Sequence, residues 1–407
     1  MKMKISKILL IAVSIVPLAW FLPDFYDVLF KDSVRPPYVV YSAVSQDFYF
    51  FRSGKKGLTD REGNRYTEQQ SDSLLPLFYY RQLYSQGKMP DTVRGVEIRP
   101  KMFKVSNYTV RLKSKDLDGP QIPLQPLFES VLRRGKLSFP HDVFRINKRM
   151  EFLDCASNQV NEKKSEAFTR ALNEAGFQYP AARIYGNPSA RKAYDWGYFV
   201  IDSSEKLFHV RMRNGLPLVK AVKLPEGVKK VARVQVTEQS SRRYYALVLS
   251  EAGNVYYLRS KSYQWVQFPI PPIDVYHENI SISGNPLYQT IRVVGKGRVK
   301  AYAVTKDFKL ENEYSEELPV WENSGKGRVK QYLFPFELSA FRAGSTFVNF
   351  HLKNFSWQAV FVNMLFSLLI VFWGRKRKQP ANKLMLSFAV CLVAGVYGFV
   401  GAAVFQD

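Results

Sequence analysis

The residue types that most often carry chemistry are few in this chain and stand apart. The four histidines are His141, His209, His277 and His351, and none lies within metal-ligand spacing of another. Neither a His-Glu-x-x-His nor a Cys-x-x-Cys motif occurs. His209 alternates with Phe208 and Val210 in an expected strand, which gives it a structural or surface role. Cys155 follows an expected strand and has no activating histidine near it in sequence, which leaves it a poor nucleophile. Cys391 falls inside an apolar run, so the two cysteines offer no disulfide framework and no metal cluster. Glu316-Glu317 and Asp116/Asp118 sit in loop-like surroundings, without the carboxylate pairing that glycoside hydrolysis requires. The hexapeptide Gly-Lys-Gly-Arg-Val-Lys occurs at 295–300 and again at 325–330. It lacks the Gly-Lys-Ser/Thr ending of a nucleotide loop and reads as a basic hairpin turn. Its Lys296, Arg298, Lys326 and Arg328 are the candidates for contact with anionic lipid headgroups. No catalytic, cofactor-binding or metal site emerges, and no enzymatic activity or cofactor is expected.

The charge needs a partner. A formal +24 on 407 residues invites nucleic acid. The Lys and Arg residues are spread along the chain, however, and no zinc-finger spacing, aromatic ribonucleoprotein motif or zipper heptad accompanies them. A basic domain held beside an anionic membrane accounts for the charge, and nucleic acid is not an expected partner. Hydrophobic content of 46% and aromatic content of 15% require folded cores. The mean hydropathy of -0.21 is too polar for a chain buried wholly in lipid. The apolar residues gather at the two ends.

Three spans follow from that gathering. Lys2, Lys4 and Lys7 precede an apolar run from Ile8 to Leu22, a signal-like pattern. Bulky Trp20-Phe21-Leu22-Pro23 offers no cleavage site, so residues 1–23 read as a retained signal anchor. Phe355 to Trp373 and Leu384 to Phe405 are long enough to cross the hydrocarbon core. They place transmembrane helices at 354–374 and 384–405, with a basic loop at 375–383 carrying Arg375, Lys376, Arg377 and Lys378. By the positive-inside rule this loop and the N-terminal lysines face the cytoplasm. Residues from about 24 to 350, and Gln406-Asp407, then lie outside it, on the periplasmic side of a bacterial inner membrane. Ala394, Gly398 and Ala402 form a small-residue stripe that lets another helix approach. Asn363 is the one strongly polar group in the first closing span.

Between the spans the chain reads as β-rich with some α+β character. Residues 24–150 are an α+β segment, with strands from Tyr38 to Phe51, a turn at Gly63-Asn64 and a helix from Ser71 to Gln86. Residues 151–350 carry a repeat: Phe152-Leu153-Asp154, Val200-Ile201-Asp202 and Val248-Leu249-Ser250 recur every 48 residues. A looser copy runs from Ile291 through Val304, and Gly-Asn-Pro stands at 186 and 284 ahead of such strands. A helix from Asn161 to Ala175 ends at Gly176. Repeats of this length built from short strands predict a propeller-like domain, with an irregular β-sandwich as the alternative.

Several segments resemble an uncharacterised Bacteroidetes-type family of membrane-anchored proteins of unknown function. They are Thr59 to Thr67 with Leu74 to Leu83, Val160 to Ser165, Gly186-Asn187-Pro188, Tyr194-Asp195-Trp196-Gly197-Tyr198 and Phe334 to Leu338. The resemblance implies neighbours of ABC-type transporter components and no known functional residue. The expected function is that of a non-enzymatic membrane-anchored accessory subunit of an ABC-type transport complex. Its expected partners are the membrane and a permease or ATPase. The alternatives are an envelope sensor or ligand-binding module and, further off, an envelope hydrolase.

Overall fold

The computed structural model describes residues 2–31, 35–54, 57–117, 123–131, 137–341 and 349–405. Asp118, Gln406 and Asp407 lie outside the described residues, and Lys2, Lys4 and Lys7 are placed by backbone alone. Helix α1 (Lys2–Phe30) belongs to one of two compact units, formed by residues 1–34 with 318–407; Arg35–Glu317 is the other.

The Arg35–Glu317 unit starts with an antiparallel sheet of β1 (Tyr38–Tyr41), β2 (Phe48–Phe51), β3 (Leu58–Thr59) and β4 (Arg65–Tyr66), paired in that order. Two short helices follow, α2 (Glu68–Leu74) and α3 (Tyr80–Ser85), where one continuous helix was expected from Ser71 to Gln86. Pro76 divides them, since proline lacks an N–H and pushes Leu75 out of helical geometry, to φ -124 and ψ 49. The hairpin of β5 (Thr92–Val93) and β6 (Val96–Glu97) leads through α4 (Pro100–Ser106) to β7 (Tyr108–Leu112).

A second hairpin, β8 (Asp142–Ile146) and β9 (Met150–Asp154), is completed by helix α5 (Glu162–Glu174). Asn161 caps α5 by accepting from the Lys164 N–H at 3.2 Å, and Gly176 leaves it at φ +81. The helix buries Ser165, Phe168 and Leu172 on one side, and the Ser165 hydroxyl accepts the Phe152 N–H at 2.9 Å. Two four-stranded antiparallel sheets come next, each paired in chain order. One holds β10 (Ala181–Tyr185), β11 (Tyr198–Asp202), β12 (Leu207–Arg213) and β13 (Leu216–Val222). The other holds β14 (Val231–Val236), β15 (Tyr244–Ser250), β16 (Val255–Arg259) and β17 (Trp265–Gln267). The last sheet pairs β21 (Leu310–Glu317), β20 (Arg298–Thr305), β19 (Tyr288–Gly295) and β18 (Asn279–Gly284), and β7 joins it beside β18. That pairing ties residues before 150 to residues after it, so the expected boundary at 150 separates no compact unit.

From the β8–β9 hairpin onward the sheets pack face to face in chain order, as the alternation of side chains shows. The β1–β4 sheet lies instead against the last sheet, through Tyr41 on Tyr288 and Phe50 on Tyr314. Tyr198 and Val200 of β11 face a core with Phe144, Phe152 and Phe168, while Phe199 and Ile201 face one with Val234, Ala246 and Val248. Leu247 and Leu249 of β15 turn the other way, onto Ile280, Ile291 and Tyr302. A strand covered on both sides has no polar face, which is why these segments are continuous apolar runs. The 48-residue recurrence falls on β9, β11 and β15, and its looser copy on β19 and β20. The unit is thus β-rich with stacked sheets, and no closed barrel or propeller ring is found among the described residues. The first repeat departs from the propeller pattern because α5, rather than two more strands, covers the β8–β9 hairpin.

The other unit holds three helices long and apolar enough to cross a membrane: Leu9–Phe30 within α1, α7 (Ala359–Lys376) and α8 (Ala381–Phe405). It also holds α6 (Gly325–Leu333) and the hairpin of β22 (Glu337–Phe341) and β23 (Asn349–Lys353). Helix α1 runs on past residue 23, the expected end of the anchor, and contains Pro17 and Pro23. At Gly395, φ 55 and ψ -130 interrupt α8. There the Asn363 amide of α7 donates to the Leu392 carbonyl at 3.0 Å, and Ser367 donates to the Phe388 carbonyl at 3.2 Å. Polar side chains of α7 thereby serve carbonyls of α8. The interruption also divides the small-residue stripe. Ala394 packs with Ala19 and Phe334, Ala402 packs with Ile370 and Cys391, and Gly398 lies against the Val390 backbone. These positions are filled by the chain's own helices rather than left open for a partner.

Candidate functional site

A cleft of about 530 Å³ opens in the Arg35–Glu317 unit where two sheet edges meet. β1 ends its sheet and β7 ends the five-stranded one, so each has a side that no described strand pairs. Segments 38–41 and 75–82 form one wall, and 107–109 with 283–285 form the other. Pro76 places the first wall by ending α2, and buried Leu75 and Leu77 then hold the chain so that Phe78 stays partly exposed. Phe78 stacks on Phe51 at 5.6 Å between ring centres, Tyr80 lies flat on Phe103 at 4.1 Å, and Arg81 donates to the Tyr80 hydroxyl at 2.9 Å. On the opposite wall Gly284 is required by a close approach: a Cβ there would fall 2.4 Å from the Tyr108 ring. The first Gly-Asn-Pro repeats this contact, with Gly186 against Tyr198. The cleft therefore offers aromatic faces, hydroxyls, side-chain amides, a guanidinium and two unpaired strand edges. That is an inventory for holding an extended chain through its backbone and an apolar side chain against rings.

The residues singled out in the sequence are not gathered at this cleft. Lys296 and Arg298 occupy the β19–β20 turn, where Arg298 meets Glu317 at 3.3 Å. The second copy of their hexapeptide is no turn at all but the start of α6, which Ser324 caps by accepting the Gly327 N–H at 3.0 Å. A Cβ at Gly327 would clash with the Trp321 carbonyl, so the glycine that turns one hairpin packs tightly in the other setting. Lys326 and Arg328 are thus helical, with Arg328 donating to the Asn323 carbonyl at 3.3 Å. Arg375 and Lys376 end α7, Arg377 lies over Trp373 and Lys376 over Phe372.

His209 is buried, stacked on Phe199 at 4.2 Å. Its Nε2 lies 2.6 Å from the Trp196 carbonyl, which can only accept, so Nε2 carries the proton and Nδ1 accepts from the Tyr263 hydroxyl. Burial pushes this imidazole down to about 3. Beside it lies a buried ion cluster that sequence reasoning missed. Lys192 donates to the Asn187 carbonyl at 2.7 Å, to Glu238 at 2.8 Å and to Asp195. Burial raises both carboxyls above their ordinary range against the pull of Lys192. All three ammonium protons are spent, and the cluster ties the β10–β11 loop to the β14–β15 loop of the next sheet. Its sequence signal was the Tyr194 to Tyr198 motif, whose Asp195 is unusual in an otherwise aromatic run. Cys155 is exposed and unpaired, and no metal-holding group of His, Cys, Asp or Glu occurs among the described residues.

A family model described as a domain of unknown function, DUF4857, matches residues 38–304. No curated protein matches the chain. A solved structure of PorZ, described as an essential bacterial surface component of the type-IX secretion system of Porphyromonas gingivalis, is similar at 11% identity and a TM-score of 0.21. The match covers 78% of this chain and 38% of that one. A likeness of that size speaks to neither activity nor partner.

Proposed function

We propose that this chain, which belongs to the DUF4857 family, is a membrane-tethered binding subunit whose β domain holds an extended polypeptide segment of a partner. The observation that carries this reading is the cleft itself, where the open edges of β1 and β7 meet a rim of aromatic rings. Main-chain hydrogen bonds to an edge strand give affinity, and rings beside it select side chains. The three apolar helices support anchoring in a bacterial inner membrane with the stacked sheets on the periplasmic side, and the basic α7–α8 turn supports that orientation. The stacked sheets are read as a propeller-like sector. An ABC-type permease or ATPase, which the family resemblance implies, is the first partner to seek.

The test is a photo-crosslinking amino acid in place of Phe78, irradiated in intact cells of the native host and followed by mass spectrometry. The expected result is a discrete protein adduct absent when the crosslinker replaces Leu218, an apolar residue on β13 of similar accessibility. Identical adducts from both positions, or none from Phe78, would overturn the reading.

A further inference from the structure

A second, smaller pocket adjoins the cleft and shares Tyr108 and Asn285 with it. Three separate segments bring donors to it: Ser106 at the end of α4, Gln239 and Arg243 from the β14–β15 loop, and Lys306 from the β20–β21 turn. Lys306 is half-buried, and its Nζ lies 3.3 Å from the Ser106 hydroxyl. No carboxylate pairs with Lys306 or with the Arg243 side chain among the described residues. Burial and the neighbouring Arg243 guanidinium both pull the Lys306 ammonium below its ordinary range. The Gln239 amide nitrogen is buried and makes no hydrogen bond of standard geometry, although the Tyr257 hydroxyl lies within interaction range. The acceptors present are already used: Gln289 Oε1 takes the Tyr108 hydroxyl at 2.6 Å, and Asn285 Oδ1 takes two backbone N–H groups at 2.8 Å. Two like charges, with the Gln239 amide beside them, thus face one small space, an arrangement that an anion would complete.

We propose that this pocket binds a carboxylate, supplied by an acidic side chain or the C-terminus of the polypeptide held in the adjoining cleft. Size decides between carboxylate and phosphate. The pocket holds about 30 Å³, a small space that favours the smaller, planar carboxylate over a tetrahedral phosphate. Exposed lysines that merely repel each other would turn outward to water, whereas Lys306 is held inward against Ser106. The assignment rests on the cleft being a polypeptide site, but its test does not.

The experiment uses the full chain in detergent and measures, by peptide mass spectrometry, the rate at which an N-hydroxysuccinimide ester acylates Lys306, with Lys230 as internal reference. Acetate in place of chloride at equal ionic strength is expected to slow Lys306 at least about threefold relative to Lys230, with phosphate slowing it less. The Arg243→Gln variant, a loop substitution outside any strand, is expected to lose the protection while circular dichroism stays unchanged. Acetate without effect on the wild type, or equal protection in Arg243→Gln, would refute the carboxylate site. Phosphate protecting better than acetate would also refute it, in favour of a phosphate site. A second arm uses the peptide acetyl-Val-Tyr-Val-Asp-amide against its Asn counterpart. Stronger protection by the Asp peptide than by acetate, lost in Phe78→Ala, supports both the pocket and the cleft. Protection by acetate with no gain from the peptide supports the pocket and overturns the cleft.

Discussion

His209 shows how one buried side chain sets a pH dependence. Its folded-state value of about 3 lies far below the ordinary 6.5, so the folded state binds fewer protons than the unfolded chain between those values. Stability is present above pH 6.5 and is lost as the pH falls, by about 3 kcal/mol between pH 7 and pH 4. Asp195 and Glu238 act with opposite sign, because raised carboxyls take up protons in the folded state and offset part of the loss at the acid end. Urea midpoints measured from pH 7 to pH 4 should therefore fall in the wild type. They should fall much less in His209→Gln, which keeps a donor toward the Trp196 carbonyl and cannot titrate; parallel profiles would refute this. At this scale the sequence was partly readable. His209 was expected to have a structural or surface role because apolar residues flank it in a strand, and it lies buried. The cleft was not foreseen, because Tyr38, Phe78 and Tyr80 look like core residues until Pro76 is seen to break the helix beneath them. Nor was the pairing of Lys192 with Glu238, which spans two sheets and leaves no local mark.

At the scale of elements, two glycines in the helical unit make opposite demands. A Cβ at Gly395 would sit 2.2 Å from Asn363 Oδ1, and its φ of +55 is costly for any other residue. Gly395→Ala should lose about 1–3 kcal/mol from backbone strain alone, and displacing Asn363 would also orphan the Leu392 carbonyl. Gly325→Ala, at the start of α6 with open space around it, should be neutral. Thermal unfolding of the two variants in detergent checks the contrast, and equal stability would count against the interrupted helix. Elements were legible where burial imposed a pattern: continuous apolar runs became β11 and β15, and the capped, glycine-terminated segment became α5. They were illegible where six residues had to decide alone. Gly-Lys-Gly-Arg-Val-Lys is a hairpin turn when β-branched and aromatic partners flank it, and a helix when a serine caps it and Gln331-Tyr332-Leu333 continues it.

For the molecule as a whole, the proposed orientation makes a direct prediction. Cys155, exposed in the β domain, should react with a membrane-impermeant maleimide in right-side-out spheroplasts. In a Cys155→Ser background, Lys378→Cys in the α7–α8 turn should react only after permeabilisation, and the reverse labelling would sink the topology. The three apolar helices were legible because apolar runs act over long stretches. The stacking of successive sheets was only hinted at by the 48-residue recurrence, since packing between faces is decided by residues far apart in sequence. The interruption at Gly395 carries a last consequence, for biogenesis in the bilayer proposed here. Alone in lipid, α8 would expose the Leu392 carbonyl that Asn363 now occupies. It is thus a poor span until α7 lies beside it. The two should leave the insertion machinery as a pair, and an Asn363→Leu chain should stall there or be cleared by proteolysis before its β domain has any partner to hold.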